Sequence, residues 1–262
     1  MAQYDKLAQI YDYLVAGIDY EEWADYIEEI LKKFSCHVRY ITDLACGTGN
    51  TTLPLAARGF AVYGIDMAPA MLEKARQKAE EKGLRPFFLE QDMRELNLPH
   101  PMDLITCYHD GLNYIIDPAD LRLVMRRVYE SLIPGGLFIF DLNAVNKLSG
   151  AGGDVTFIDD PDRSLIWETS YDRGADIWEI RLTGFLRQGE LYDKFVEVHQ
   201  EKAYKHEEAV ALMKEAGFQL LAVYHGFSFE PPRPDSRRIF YVARKPYKKR
   251  RPNGLPSSVQ IQ

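Results

Sequence analysis

Ile41-Thr42-Asp43-Leu44-Ala45-Cys46-Gly47-Thr48-Gly49-Asn50 decides how this chain is read. A short apolar strand runs into a tight glycine turn, and a helix opens at Asn50-Thr51-Thr52. Such a turn lets backbone approach a ligand, and the free N–H groups of the helix start point at it. A dinucleotide fold prefers G-x-G-x-x-G. Gly47 and Gly49 supply the first two glycines, but the third position is Thr52. The turn and helix start hold no Lys or Arg, so nothing marks a phosphate clamp. Asp43 stands before the turn instead, and an acid at a strand end suits a ligand with an ammonium or sulfonium group. A glycine-rich turn that binds nothing is the plain alternative, and the residues downstream weigh against it.

Gly59 ends the first helix, and Phe60-Ala61-Val62-Tyr63-Gly64-Ile65-Asp66 reads as a second buried strand that ends in an acid. Its distance from the turn is close to the roughly 20 residues of a cofactor-binding βαβ unit. The Asp66 carboxylate can there accept from both hydroxyls of a ribose; its other reading is a helix N-terminal acid ahead of Pro69. A helix follows over 68–82, then a third strand, 86–91, and Asp92-Met93. The fourth strand, 102–109, brings Tyr108, His109 and Asp110 beside the glycines, because ligands gather at the carboxyl ends of parallel strands. Asp117-Pro118 starts the next helix.

Asp43-Leu44-Ala45-Cys46-Gly47-Thr48-Gly49 resembles the first motif of the class I S-adenosylmethionine-dependent methyltransferases, with Ala45 in place of that motif's first glycine. Pro134-Gly135-Gly136 before a fifth strand, and two final strands at 218–224 and 238–244, also resemble that family. The resemblance spans roughly residues 4–245 and implies a Rossmann-like α/β fold with a seven-stranded, mostly parallel sheet. It implies S-adenosylmethionine as cofactor, bound by Asp43, Ala45, Cys46, Gly47, Thr48 and Gly49, with Asp66 on the sugar and Tyr108 nearby. Met67 would flank the adenine, Asp92 would meet its amino group, and Met93 would pack on the ring. A helical prefix over 4–34 would cover the cofactor with Tyr11 and Trp23, two residues equally at home as packing aromatics. The cofactor carries the hard chemistry, so a strong base is optional. His109 and Tyr11 are the expected contacts to a nucleophile, His109 because its ordinary pKa lies near neutrality. The acceptor would be a small molecule with an N or O nucleophile. A dehydrogenase, disfavoured by Thr52 and Asp43, and a non-catalytic binding module are the alternatives.

The totals set the outer limits. The 262 residues fit one core with an insertion, and 46% apolar content supports a sizeable core. A net charge of −7 argues against a broad nucleic-acid surface. The run Arg244-Lys245-Pro246-Tyr247-Lys248-Lys249-Arg250-Arg251 is the exception; it leaves an RNA acceptor open beside the plainer reading of a solvated end. Cys36, Cys46 and Cys107 lack C-x-x-C spacing, no signal segment precedes them, and no apolar run is long enough to span a membrane, so a reducing cytoplasm is expected. No histidine pattern marks a metal site. Residues 1–143 and 205–245 read as the core and 246–262 as a disordered basic tail. Period-two stretches within 144–204 read as an inserted antiparallel sheet with a third strand near 191–204, serving as a substrate lid or a homodimer surface.

Overall fold

The computed structural model describes residues 4, 6–150 and 153–247. A 3-10 turn, Leu7–Gln9, leads into α1 (Tyr11–Leu14) and α2 (Tyr20–Lys33), so the prefix is broken into short pieces before one long helix. Asp19 caps α2 by accepting from the backbone N–H groups of Glu21 and Glu22 at 3.0 and 3.2 Å. The core then alternates as β1 (Tyr40–Leu44), α3 (Thr52–Ala57), β2 (Ala61–Asp66), α4 (Pro69–Glu81), β3 (Phe87–Glu90) and β4 (Met102–Cys107). It continues through α5 (Pro118–Ser131), β5 (Leu132–Asn143) and α6 (Val145–Gly150). The second sheet is β6 (Val155–Asp160), β7 (Arg163–Asp172), β8 (Ile177–Gln188) and β9 (Leu191–Lys202). The chain returns to the core through α7 (His206–Ala216), β10 (Gln219–His225) and β11 (Arg238–Arg244).

The large sheet has seven strands in the order β10-β11-β5-β4-β1-β2-β3. β1 lies between β2 and β4, parallel to both, and β11 is antiparallel to β5 and β10. This is the expected seven-stranded, mostly parallel α/β sheet. Its central strands are apolar on both faces because helices cover both. Leu44, Ile105, Phe138, Phe140 and Tyr241 pack with α5 and α7, while Ile41, Leu104, Ile139, Phe240 and Val242 pack with α2 and α3.

The inserted sheet has four strands, not the expected three; β6 was missed because Val155 and Phe157 are exposed and bury no continuous face. Its inner face, through Leu165, Leu182, Leu186 and Phe195, packs on Leu7, Ala8 and Ile10 of the prefix and on Ala68 and Met71 at the start of α4. Glu197 of β9 accepts from the backbone N–H groups of Tyr4 and Leu7 at 3.1 and 3.2 Å. Of the expected basic tail, Arg244 and Lys245 donate to the carbonyls of Phe34 and Leu132, and the residues beyond Tyr247 lie outside those described.

The glycine turn sits tight against the next strand. A Cβ on Gly64 would stand 2.7 Å from the Phe88 ring and 2.9 Å from Cys46 Sγ. Gly64→Ala is therefore expected to cost about 1–3 kcal/mol through overpacking. Urea denaturation should show a lower midpoint with an unchanged slope.

Candidate active site

The turn after β1 is shaped from behind. Ala45 and Gly47 both have φ +53, and Gly49 has φ +79; the two glycines adopt this left-handed conformation without a Cβ penalty, whereas Ala45 bears one. Asp43 is 1% exposed. Its carboxylate accepts from the hydroxyls of Thr51, Thr52 and Thr106 at 2.6, 2.7 and 2.9 Å. The sequence reading aimed Asp43 at a cationic ligand; the structure corrects this, because the group faces the sheet interior and is spent on three hydroxyls. Burial pushes its carboxyl upward, against the pull of those hydroxyls.

In front of the turn lies a cavity of about 710 Å³, within the usual range of small-molecule sites. Ala45, Gly47, Asp66, Met67, Asp92 and Met93 line one end of it. Cys46, Thr48 and Gly49 complete the turn without lining the cavity. Asp66 Oδ2 accepts from Gly47 N and Oδ1 from Ala68 N, each at 2.8 Å. One lone pair of each oxygen is thereby occupied and one remains. Burial raises the Asp66 carboxyl, while the N–H groups of Ala68, Gly47 and Met67 oppose the rise. Met67 stands 61% exposed at the rim. Asp92 is already gripped: Arg94 Nε and Nη2 reach its carboxylate at 2.9 and 2.5 Å, and Arg94 Nη1 reaches Asp120 at 2.8 Å.

The tip of β4 forms the other end, with Tyr11, His109, Asp110, Tyr114 and Arg238. His109 and Asp110 both have positive φ, +53 and +58, a rare conformation for two successive non-glycine residues. The His109 ring stacks on Trp23, centroids 3.9 Å apart, and its Nε2 has no hydrogen-bond partner among the described residues. Burial pushes its pKa down to about 4, with Arg238 and Lys147 adding to the effect. The ring is thus uncharged at neutral pH, and the expectation that it titrates near neutrality is corrected by its environment. Two further corrections concern aromatics. Trp23 backs His109 without lining the cavity, and Tyr108 turns to the opposite side, against Trp23 and Phe240. Arg238 Nη2 donates to Asp110 Oδ1 at 2.8 Å, and Nη1 donates to the buried Asp141.

Val15, Ile18, Ile115, Ile116 and Val198 make the apolar part of the wall. The prefix is latched over it by Asp12, which accepts from Thr48 Oγ1 at 2.6 Å, Asn50 Nδ2 at 2.9 Å and Lys78 Nζ at 2.9 Å. No cluster of side chains suited to a metal ion occurs among the described residues.

A family model described as "Methyltransferase domain" matches residues 41–136. A putative methyltransferase, YqeM, from Bacillus subtilis (strain 168) is 35% identical over 247 residues, covering 92% of this chain and 97% of that protein. The crystal structure of an S-adenosylmethionine-dependent methyltransferase from Clostridium acetobutylicum ATCC 824 is also 35% identical, covers 93% of this chain and 99% of its own, and superimposes with a TM-score of 0.84. This chain belongs to the S-adenosylmethionine-dependent methyltransferases. It is an enzyme of that class, and the dehydrogenase and binding-module readings fall. The sugar N-methyltransferase KedS8 from Streptoalloteichus sp ATCC 53650 shares the fold at 20% identity, with a TM-score of 0.74 over 89% of this chain and 91% of that one.

The methyltransferase site holds residues that the sequence reading did not name. Arg94 was findable, since it follows Asp92 by two residues. Arg238 and Gln200 come from distant strands with no motif around them. Asp12, adjacent to the named Tyr11, makes the latch to Lys78, Thr48 and Asn50. Burial works against its charge, but Thr48, Lys78 and Asn50 together hold its carboxyl below the usual carboxylate range. A depressed folded pKa gives a contribution that is present above about pH 4 and lost as pH falls through the lower folded value. The latch is half exposed, so its worth is about 0–1 kcal/mol. Asp12→Ala is expected to speed hydrogen exchange at the Leu14 and Val15 amides with little change in global stability.

Proposed function

We propose that this methyltransferase transfers the S-adenosylmethionine methyl group to the amine nitrogen of a small molecule. The donor supplies an electrophilic methyl on a sulfonium, taken in line by the nucleophile. The residues present fit it. The left-handed turn leaves open space over Gly47. Asp66 keeps two acceptor positions for ribose hydroxyls, Met67 and Met93 offer apolar flanks for an adenine, and Asp92 sits where its amino group would be met. For that contact Arg94 must share the carboxylate it now holds. Tyr11, Val15 and Ile18 of the prefix wall one side of the cavity and shield it in part from water, which strengthens the electrostatic contacts within.

The observations that carry the amine reading are the negative balance of the cavity as a whole and the weak basicity of its acceptor end. Lining carboxylates Asp66, Asp92, Asp110 and Asp120, most of them away from His109, outnumber the guanidiniums Arg94 and Arg238, and each guanidinium is shared by two carboxylates. An anionic acceptor is disfavoured there, and a positive charge passing from sulfur to nitrogen is favoured. His109, at about 4, is too weak a base to deprotonate a hydroxyl. Burial likewise raises the Tyr11 phenol. An amine attacks with its own lone pair and releases its proton afterwards, so this set suffices.

Titration calorimetry with S-adenosylhomocysteine and with NAD tests the cofactor half; the first should bind and the second should not. Asp66→Ala removes two charge-assisted hydrogen bonds and is expected to weaken S-adenosylhomocysteine about tenfold to hundredfold. Unchanged affinity would remove Asp66 from the sugar. Paired amine and phenol acceptors on one scaffold test the other half, and preference for the phenol would overturn the nitrogen reading.

A further inference from the structure

The two-residue left-handed step at the end of β4 is an unfavourable conformation that persists only where surroundings over-determine it. Three contacts do so. Asp110 N donates to Asp141 Oδ2 at 3.3 Å, Asn113 N donates to Asp110 O at 2.8 Å, and Arg238 grips the Asp110 side chain. Arg238 also grips Asp141, and its guanidinium lies 5.6 Å over the Trp23 ring, on which His109 stacks. One residue thus touches the carboxylate beside His109, the carboxylate behind it and the aromatic under it. A buried ion cluster of this kind gives little net stability over an apolar replacement, so what it fixes is geometry. The planar fork of arginine can hold two carboxylates at once, which a lysine ammonium cannot do in the same plane.

We propose that Arg238 is a positioning residue: by clamping Asp110 to Asp141 it holds the left-handed His109–Asp110 step and so sets where the His109 ring stands in the cavity wall. This rests on reading the cavity as the methyl-transfer site. The groups facing His109 are Asp110 beside it, Tyr20 and Trp23 from α2, Lys147 from α6 and Arg238 from β11. Burial, Arg238 and Lys147 lower its pKa, and Asp110 raises it. Asp141 carries an oxygen without a partner among the described residues, and burial lifts its carboxyl to about 6.

The test follows the His109 ring by nuclear magnetic resonance, in its pH titration and in the ring-current shift imposed by Trp23. In the unaltered protein the ring should stay uncharged down to about pH 4 with a strong ring-current shift. Arg238→Met should move the titration up by about one unit or more and diminish the ring-current shift. Arg238→Lys restores the charge without the fork, so the titration should return while the shift does not. If both readouts in Arg238→Met match the unaltered protein, the proposal is wrong. Should Arg238→Met not fold, Arg238→Lys decides alone: a retained ring-current shift overturns the clamp, and a lost one supports it. Failure of the unaltered protein to bind S-adenosylhomocysteine would instead sink the cofactor reading, and the His109 readouts in the free protein would still decide on Arg238.

Discussion

The glycine turn depends on one buried carboxylate. Asp43 accepts from Thr51 and Thr52 at the start of α3 and from Thr106 on β4. It therefore joins the first strand, the first helix and the neighbouring strand at the place where the chain must pass through three left-handed residues. A buried charge is tolerated only when hydrogen bonds reach it, and here three hydroxyls do, two on Oδ2 and one on Oδ1. In return the threonines hold the turn so that the backbone N–H of Gly47 reaches Asp66 across the crevice. The second acid is thus oriented by the first, through the turn.

The same pair shows how far the sequence could be read. Alternation along a strand says which residues share a face, but it does not say which face is occupied when helices cover both. Asp43 and Asp66 look alike in sequence, each an acid at a strand end. Only packing separates them, one turned inward to three hydroxyls and the other outward to the crevice. Tyr108 and His109 illustrate the same limit, since both follow β4 and touch Trp23 of α2, yet only His109 reaches the cavity wall. The parallel strands and the glycine turn were legible because each is a local apolar run or its local punctuation. Arg238 was not, because it meets Asp110 across 128 residues of chain and nothing near it signals a site.

Charge in the cavity is organised by pairing. Arg94 joins Asp92 to Asp120 at one end, and Arg238 joins Asp110 to Asp141 at the other. Burial alone would push all these carboxyls toward the neutral form. Arg94 holds Asp92 below the usual carboxylate range, its hydrogen bonds outweighing a burial that is only partial. At the buried end the outcome is split: Arg238 and Lys147 overcome burial at Asp110, whereas burial prevails at Asp141. The wall keeps its negative excess on the side that faces the cavity.

The two halves of the site are held with different strengths. The turn rests on the buried hydrogen bonds of Asp43, and the ends of β2 and β4 on partly buried ones at Asp66 and Asp110 and on a close-packed sheet. The prefix rests on Asp12, half exposed, and on Glu197, which reaches over from the inserted sheet to the N–H groups of Tyr4 and Leu7. A partly solvated latch such as Asp12 contributes little, so the segment around it is the more easily opened part of the prefix, whereas Leu7, Ala8 and Ile10 are fixed by burial against the inserted sheet.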